Sequence, residues 1–428
     1  MRNVASFGIL CIAVIVASLT GTSFLAGGPA LAHTFKVLHR FCHEKNCTDG
    51  WAPSGVVMDQ SGNIYGTTMA GGQNGFGSVY KLTPDSNGGY SFSSLFSFCH
   101  EYQCADGEVP LGPLIIDTAG DLYGVTQGGN NNQGVAYELT PGNGAWSFKI
   151  LYTFCSQQGC IDGVEPGGGF TYAGASSGQP YDGTSPLYGT TAQGGADNGG
   201  IVYSLQPGGN GWTEAPLYSF VSVTAPGAPL IMDATGNLYG TLTAGGRTGR
   251  AGGVFELTNN DGNWAETDLV DFCNPNCDAG ALPDGSLLLD SSGNLWGTAG
   301  NGGYKCSFDK AGCGTVFELT PSANGYTTTA AHVFCQGKAC NGGFGPQSTP
   351  VMDTLGNIFA TTSSDPIEQC GRLFEMSGTT FSVLHKFGGS SGCNPFDNLL
   401  LLPSGSLIGT TGNGGKRDGG GTVFEFTP

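Results

Sequence analysis

The chain has 428 residues, including 76 glycines, with 39% hydrophobic residues and a formal net charge of −18 at pH 7. Its apolar content is sufficient for a sizeable core, and only 11% of the residues are charged, which excludes an intrinsically disordered chain. The negative charge excludes nucleic acid and anionic membrane surfaces as partners, because both would repel the protein.

The first 32 residues differ in composition from the rest of the chain. Arg2 is their only charged residue, an apolar run follows at Phe7–Ser18, and Ala30–Ala32 offers a cleavage site of small residues. This pattern predicts a signal peptide at residues 1–32 and a mature domain at residues 33–428. The apolar run is short for a bilayer span, and no later stretch is long enough. We therefore expect a secreted protein, extracellular or periplasmic, with no membrane span after cleavage.

The mature sequence opens with a nine-residue, aromatic-rich strand that recurs seven times. We label these segments strand D; they are His33–Phe41, Tyr90–Phe98, Trp146–Phe154, Trp212–Phe220, Trp264–Phe272, Tyr326–Phe334 and Thr379–Phe387. Each of the last six follows a strand that resembles GTVFELTP, which we label C, and a turn rich in proline and glycine. That spacing predicts a hairpin between strands C and D.

Two further strands precede strand C in each unit. Strand A is an apolar run that ends in aspartate, and strand B resembles GNLYGTT. The expected A strands are Val56–Asp59, Leu114–Asp117, Leu230–Asp233, Leu287–Asp290 and Val351–Asp353. In the third unit we expect a glycine- and serine-rich insertion, Gly167–Pro186, to replace strand A and its turn.

Four short strands recurring seven times, at a period of about 57 residues, predict an all-β fold. The specific expectation is a seven-bladed β-propeller of four-stranded antiparallel blades. The seventh unit ends after its strand C, at Pro428, so His33–Phe41 is expected to complete the last blade. Such closure removes open sheet edges. An open solenoid with a separate N-terminal strand is the alternative.

The cysteines predict a set of disulfides. Leaving out Cys11, the chain has 14 cysteines, and an even number in an exported protein favours full pairing. Ten form close pairs after strand D: Cys42/Cys47, Cys99/Cys104, Cys155/Cys160, Cys273/Cys277 and Cys335/Cys340. Cys306 and Cys313 pair across the B–C loop of blade 5. Cys370 and Cys393 remain, and they lie in loops that a propeller brings to one face. Zinc binding, through Cys42 or Cys99 and the histidine that follows each, is the alternative.

Calcium and catalysis have weaker support. Asp59 with Ser61 and Asn63 resembles a calcium loop, but the terminal bidentate carboxylate of an EF-hand is missing. We therefore expect these side chains to shape the A–B turn, with no cofactor except an optional calcium ion. The sequence contains no GxSxG nucleophile motif. Seven blades could still bring a pair of unlike carboxylates together in the central channel.

Aromatic residues in the loops are the candidates for ligand binding. Trp51 follows the first Asp-Gly turn, Tyr102 lies within the second disulfide loop, and Tyr304 and Phe308 lie in the B–C loop of blade 5. Exposed rings of this kind can stack on sugars or anchor a protein partner. The alternative is that they cover the loop backbone.

With its DxxGNLYGTT, GGxxGxGTVFELTP and LxxF segments, the repeat resembles the GloVer (Gloeobacter–Verrucomicrobia) tandem repeat family of choice-of-anchor proteins. The resemblance covers nearly the whole mature chain and implies an exported bacterial protein. Members of that family often carry a C-terminal anchoring domain, whereas this chain stops at Pro428, so we expect release rather than surface anchoring. The A–B strand pair is also similar to NHL-type propeller repeats.

These observations favour a binding or interaction module for a glycan or a protein partner over an enzyme. Two alternatives stay open. One is a propeller enzyme, similar to a lyase or lactonase, with a metal in the channel; it would need three or more unlike acids or histidines around the axis. The other is a structural subunit of an extracellular assembly. The oligomeric state does not follow from the sequence.

Overall fold

A computed structural model describes residues 33–428 except for 130–132, 210, 222–223, 246–250, 275, 304–305, 307–309, 324, 337–339 and 416–418. The described chain is almost entirely β-sheet, in seven antiparallel blades that form a ring. This confirms the predicted seven-bladed propeller. The signal peptide lies outside the described residues, so it and the domain boundary at residue 33 remain predictions.

The first three blades follow one another along the chain. In blade 1, strands A to D span Trp51–Met58, Ile64–Ala70, Ser78–Pro84 and Tyr90–Ser97. In blade 2 they span Glu108–Ile116, Leu122–Gly128, Val135–Pro141 and Trp146–Thr153. In blade 3 they span Val164–Thr171, Leu187–Gln193, Ile201–Gly208 and Gly211–Ser219. The short 3-10 turns of the described chain are Lys45–Cys47, Tyr102–Cys104, Gln158–Cys160 and Ala175–Ser177.

Strand A is shorter in the remaining blades. In blade 4, strands A to D span Ile231–Met232, Leu238–Leu242, Gly253–Asn260 and Asn263–Asp271. In blade 5 they span Leu288–Leu289, Leu295–Ala299, Thr315–Ser322 and Gly325–Val333. Blade 6 has a divided strand A, Phe344–Pro346 and Val351–Met352, followed by Ile358–Ser364, Arg372–Ser377 and Thr380–Lys386. In blade 7, strands A to C span Leu400–Leu401, Leu407–Thr411 and Thr422–Thr427.

The N-terminal strand closes the ring as predicted. Thr34–Arg40 is strand D of blade 7 and pairs antiparallel with strand C, Thr422–Thr427. Thr34 lies opposite Thr427 and Arg40 lies opposite Thr422. The two ends of the described chain are therefore neighbours in one sheet, which leaves no broken edge at the seam.

Two expectations about strand A were wrong. Blade 3 keeps this strand, Val164–Thr171, and its insertion begins only after it. In the other blades with the motif, the aspartate follows strand A instead of ending it. The reason is that its carboxylate accepts backbone N–H bonds from the turn; Asp59 Oδ1, for example, accepts those of Ser61 at 2.8 Å and Asn63 at 2.9 Å.

The core consists of seven apolar clusters, and each cluster joins two neighbouring blades. At the seam, Phe41 of blade 7 packs against Tyr80 of blade 1, with ring centroids 5.0 Å apart. The matching pair between blades 1 and 2 is Phe98 and Tyr137, at 5.1 Å. Burial of these rings makes each blade depend on its neighbours for stability, as expected for a repeat architecture.

A glycine before strand C contacts a proline of the next blade at all seven interfaces. The pairs are Gly77–Pro110, Gly134–Pro166, Gly200–Pro226, Gly252–Pro283, Gly314–Pro346, Gly371–Pro395 and Gly421–Pro53. A Cβ added to any of these glycines would lie 3.0 Å or less from the proline Cδ. Every one of the glycines has a positive φ, which other residues rarely adopt.

The backbone before each proline is also left-handed. The residues are Ala52, Val109, Glu165, Ala225, Leu282, Gly345 and Asn394, with φ between 43° and 63°. Six of them donate their N–H to a carbonyl of the preceding blade, as Val109 does to Phe76 at 3.0 Å. At the blade 3–4 interface, the Thr224 hydroxyl instead donates to the Gly199 carbonyl at 2.8 Å. The left-handed turn thus directs the proline against the preceding blade.

Aromatic pairs connect the D strands of neighbouring blades. The stacked pairs include Phe96–Phe148, His39–Phe92, His332–Phe381 and His385–Phe35. Burial lowers the pKa of each of these three histidines to about 4; the charge of Arg372 adds to the shift for His385, whereas that of Asp49 opposes it for His39. The histidines are therefore neutral in the folded protein at pH 7.

We predict that Gly77→Ala destabilises the fold by about 3 kcal/mol or more. The new methyl group would lie 2.4 Å from the Thr68 carbonyl oxygen and 2.5 Å from Pro110 Cδ. Gly75→Ala is the matched control, because Gly75 has a similar φ of 90° and nothing lies within 4 Å of its added Cβ. Thermal unfolding would measure both; equal losses would show that the Gly–Pro contact adds nothing beyond backbone strain.

We also predict that stability falls as the pH drops from 6.5 to 4. The unfolded histidines take up protons near pH 6.5, whereas His39, His332 and His385 stay neutral in the fold until about pH 4. Each can contribute up to about 3 kcal/mol, and less where the ring is partly exposed. Replacing these three histidines by phenylalanine, the residue that blade 1 has at this position (Phe96), should reduce this loss.

The measurement is the unfolding midpoint at pH 4.5 and pH 7 for the wild type and the triple variant. His100→Phe is the control, because that side chain is 76% exposed and should not change the difference. An unchanged pH dependence in the triple variant would contradict the assignment.

Candidate functional site

Five disulfides lie in loops between strand D of one blade and strand A of the next; Cys306–Cys313 lies in the B–C loop of blade 5, and Cys370–Cys393 connects a B–C loop to a D–A loop. The structure forms seven disulfides: Cys42–Cys47, Cys99–Cys104, Cys155–Cys160, Cys273–Cys277, Cys306–Cys313, Cys335–Cys340 and Cys370–Cys393. Cys370–Cys393 joins blades 6 and 7, as the loop placement predicted. In three loops a buried aspartate caps the turn; Asp49, for example, accepts the N–H groups of His43 and Glu44.

Of the aromatic candidates, the structure describes Trp51 and Tyr102, which lie in different blades. Trp51 begins strand A of blade 1 and is 46% exposed, and Tyr102 lies in the disulfide loop of blade 2 and is 84% exposed. Neither residue lines the central channel. Tyr304 and Phe308 lie outside the described residues. The exposure of the first two is compatible with a role in contact with a partner, which stays a prediction.

The repeated aspartates use their oxygens within the A–B turns. Asp59 Oδ2 accepts hydrogen bonds from the Asn63 amide at 2.7 Å and from the Tyr65 hydroxyl at 3.0 Å. Burial alone would raise the pKa of Asp59, but these hydrogen bonds outweigh it and hold the pKa below its ordinary value. Asp233 and Asp290 repeat the arrangement. The turn geometry that the sequence predicted is therefore explained without an ion.

All seven blades contribute to a cavity of about 300 Å³ on the propeller axis. Its wall consists of the short segments around and after the interblade prolines, which lie within strand A in blades 1 to 3, between its two parts in blade 6, and before it in blades 4, 5 and 7. On one side the wall is small and apolar, with Leu111, Pro113 and Pro229. The other side carries hydrogen-bonding groups and one ring from blades 5 to 7. These residues are Asp284, Gln347, Asn394, Phe396, Asp397 and Asn398.

Of the two carboxylates that line this cavity, Asp284 is the one whose side chain is exposed to solvent. Gln347 Nε2 donates to its Oδ2 at 2.8 Å, which fixes the carboxylate across the interface of blades 5 and 6. The surrounding channel wall desolvates the group and raises its pKa, and the hydrogen bond from Gln347 opposes that shift. The pair presents an acceptor and an amide side by side.

Asp397 has a different role, because it joins blade 7 to blade 1. Its Oδ2 accepts the Gly55 N–H at 2.6 Å, and its Oδ1 accepts the Asn398 N–H at 2.8 Å. Burial raises the pKa of this carboxyl, although these bonds and one from Ser54 act in the opposite direction. The Ser54 hydroxyl also accepts the Gly112 N–H at 3.1 Å, which extends the connection to blade 2. Asp397 thus stabilises the seam of the ring.

Threonines of strand B hold several of the channel segments. In blades 3 to 6 the threonine two residues after the aromatic residue of strand B donates to a carbonyl of the next blade. The bonds are Thr190–Ala228 at 3.4 Å, Thr241–Gly285 at 3.1 Å, Thr298–Ser348 at 2.8 Å and Thr361–Pro395 at 2.8 Å. These hydroxyls position the polar side of the channel, a role that the sequence interpretation did not give them.

The channel residues were not predicted individually, although a signal for them exists. Each interblade proline is followed by a position at which the repeats do not agree. The residues there are Ser54, Leu111, Gly167, Gly227, Asp284, Gln347 and Phe396. All except Gly167 line the cavity. The general expectation that unlike acids could meet in the channel applies to Asp284 and Asp397.

Glu214 is a buried acid outside the channel. It lies opposite Leu205 in blade 3, the position that Phe148 occupies opposite Leu139 in blade 2. The residue is 7% exposed, and neither carboxyl oxygen has a hydrogen-bond partner. Burial, with a smaller contribution from Asp162, raises its pKa to about 8. Glu214 therefore replaces a core phenylalanine and weakens the interface of blades 2 and 3.

The fold and the cavity define a β-propeller in which one ring of unlike residues surrounds the axis of a repeated scaffold. Two copies of the Gloeobacter/Verrucomicrobia repeat match the sequence, at residues 26–185 and 171–343. The chain belongs to this repeat family, as its motifs indicated. No curated protein matches the sequence.

Solved structures with the same architecture are distant in sequence. The extracellular domain of a protein assigned as a hybrid two-component system of B. thetaiotaomicron aligns with a TM-score of 0.51 and 11% identity. That match covers 91% of this chain but only 39% of the other chain. At this identity the likeness shows the fold alone.

Two further structures align less closely. A protein assigned as a gluconolactonase has a TM-score of 0.43 and 11% identity, over 92% of both chains. One assigned as a 6-phosphogluconolactonase, from Bacteroides uniformis, has a TM-score of 0.46 and 10% identity. It covers 78% of this chain and 84% of the other. Within the described residues, we find no helix with the length and apolar character needed to cross a membrane.

We predict that Glu214→Phe stabilises the protein by about 2 kcal/mol at pH 8 and by less at pH 5. The folded state keeps the Glu214 proton up to about pH 8, whereas the unfolded state loses it near pH 4.5. The stability of the wild type therefore decreases as the pH rises between these values. Denaturant unfolding at both pH values measures the effect.

Glu214→Gln is the control for this experiment, since it removes the ionisation but restores no aromatic packing. It should flatten the pH dependence with a smaller overall gain. If Glu214→Phe does not increase the free energy of unfolding more at pH 8 than at pH 5, the assignment of a strained buried acid is wrong.

Proposed function

We propose that the protein is a secreted binding module that holds a neutral sugar unit of a glycan in the central channel. The carrying observation is the ring of unlike residues after the seven interblade prolines, on a scaffold whose other positions repeat. A framework that only needed to close a ring would gain nothing from six residue types at seven equivalent positions. Unlike residues at equivalent positions around one cavity are typical of ligand recognition.

The chemistry of the wall favours a sugar over a purely apolar or a highly charged ligand. Asp284, Gln347, Asn394 and Asn398 supply acceptors and amide groups for hydroxyls, and Phe396 supplies a ring for stacking. The opposite wall, with Leu111 and the prolines, suits the apolar face of a sugar. The two carboxyls, together with the net charge of −18, disfavour anionic sugars.

The size of the cavity supports a single sugar unit. At about 300 Å³ it lies at the small end of the range for ligand pockets, which is about 300–1,000 Å³. A longer glycan would extend from the channel mouth toward the disulfide loops. Seven disulfides support export to an oxidising compartment.

A protein partner on the disulfide face is the second candidate, because Trp51 and Tyr102 are exposed there at 46% and 84%. The enzyme alternative has less support. Among the described residues that line the channel, Asp284 and Asp397 are the acids and none is a histidine. Asp397 is already engaged by the seam, so the expected set of three ligands or catalytic groups is not met.

We predict that the purified protein binds a neutral glycan and that Asp284→Ala and Gln347→Ala each weaken the affinity about tenfold. Each variant removes a hydrogen-bonding group from the channel wall, at a cost of about 1–3 kcal/mol. An array of neutral glycans identifies the ligand, and titration calorimetry with the matching monosaccharide measures the affinity.

Glu101→Gln serves as the control, because that side chain is 65% exposed and lies on a disulfide loop. Trp51→Ala and Tyr102→Ala test the second candidate. Loss of binding in these two variants alone would move the site to the disulfide face. The absence of binding to any neutral glycan would refute the proposal.

A further inference from the structure

The interface of blades 5 and 6 brings two disulfides into close contact. Cys306–Cys313 lies within blade 5, and Cys335–Cys340 lies in the loop that leads into blade 6. The Sγ atoms of Cys313, Cys335 and Cys340 all lie within 4.8 Å of one another. These three residues are at most 8% exposed, so the cluster is shielded from solvent.

At the interface of blades 6 and 7, a disulfide joins the B–C loop of one blade to the D–A loop that leads into the next blade. Cys313 and Cys370 occupy equivalent positions, each just before the glycine that contacts the next blade's proline. The Cys313 carbonyl accepts the Gly345 N–H at 3.1 Å, and the Cys370 carbonyl accepts the Asn394 N–H at 3.0 Å. Cys370 forms its disulfide across the interface, with Cys393. Cys313 instead pairs within its own loop, although two sulfurs of the next blade are adjacent.

We infer that Cys313 and the Cys335–Cys340 disulfide form a thiol–disulfide exchange pair, able to replace the link within blade 5 by a link between blades 5 and 6. In this step the Cys313 thiolate attacks the Sγ of Cys335 or Cys340. The new S–S bond forms as the Cys335–Cys340 bond breaks, and the departing sulfur leaves as a thiolate that takes up a proton. No net oxidation or reduction occurs.

Reaching the reactive state of the wild type requires a reductant. A small-molecule thiol, such as glutathione, would first reduce Cys306–Cys313 in two exchange steps and leave as its own disulfide. The protein with the interblade link and the protein with Cys306–Cys313 reduced are at the same oxidation level, each with two free thiols, whereas the seven-disulfide protein is two electrons more oxidised. The thiol–disulfide balance of the surroundings therefore sets which link is present. The link would also affect the position of the channel wall. The Gly345 N–H is hydrogen-bonded to the Cys313 carbonyl, and Gly345 lies two residues before Gln347 in the channel wall.

Cys306→Ser tests the inference without a reductant, because it leaves Cys313 as a thiol beside the second disulfide. The variant is produced by export into an oxidising compartment and held at pH 8.5. Its thiols are then alkylated under denaturing conditions at acidic pH, and peptides are mapped by mass spectrometry. We expect a disulfide from Cys313 to Cys335 or Cys340 in about half of the molecules or more, with the alkyl group on the displaced cysteine.

Cys370→Ser is the matched control. It leaves Cys393 as a thiol, and no third sulfur of the described residues is grouped with that pair. We therefore expect to find the alkyl group on Cys393 alone, with the other six disulfides intact. The inference is overturned if Cys306→Ser carries its alkyl group only on Cys313 and keeps Cys335–Cys340 intact.

A second measurement covers a failure of the variant to fold, which circular dichroism would reveal. Wild-type protein is incubated at pH 8.5 with a small amount of glutathione and mapped in the same way. A peptide that joins Cys313 to Cys335 or Cys340 is the expected product. Recovery of only the seven original pairs after prolonged incubation would contradict the inference.

Discussion

The contact between a left-handed glycine of one blade and a proline of the next is the constraint on which the ring depends. It occurs at all seven interfaces, and a Cβ at any of the glycines would overlap the neighbouring backbone or the proline ring. The blades can therefore approach closely only because glycine is present on one side. On the other side, proline fixes φ and needs no N–H partner, so it can fill this space at no hydrogen-bonding cost.

This arrangement requires strain, and the fold compensates for it locally. The residue before each proline is left-handed, including Val109, whose branched side chain disfavours that region. A backbone hydrogen bond to the preceding blade accompanies the turn in six of seven interfaces. At the seam, where no covalent continuity supports the contact, Asp397 adds a side-chain bond to Gly55. The same contact thus holds the blades together at every interface, and Asp397 reinforces it at the seam, near which the two ends of the described chain pair.

Much of the fold could be predicted because its signals are repeated. The pairing of strands C and D follows from a turn of proline and glycine between two apolar strands, and closure follows from a lone D strand at His33–Phe41. Strand A of blade 3 was missed because Val164–Thr171 contains three successive glycines, which favour a loop on propensity alone. There the pairing with Leu187–Gln193 overrides the local preference.

The channel was harder to predict because its equivalent positions differ in residue type from blade to blade, which is also the property that makes it a candidate site. Asp284, Gln347 and Phe396 share a position in the repeat but no residue type, so no motif marks them. Their proximity follows from the rotation of one blade to the next, which the sequence does not display. Left-handed backbone at Asn394 and Leu282 also opposes the conformational preference of the residue before a proline.

The scaffold separates two tasks that a smaller fold would combine. The apolar clusters between blades and the Gly–Pro contacts stabilise the ring without residues of the polar channel side, apart from Asp397, which accepts the Gly55 N–H at the seam. Five of the disulfides close loops that lead into the channel segments, and Cys313, Cys335 and Cys340 also belong to the apolar cluster between blades 5 and 6. Asp284, Gln347 and Phe396 belong to none of these clusters, so a substitution at these positions leaves the clusters intact. The residue type at such positions can therefore differ from blade to blade while the fold is retained.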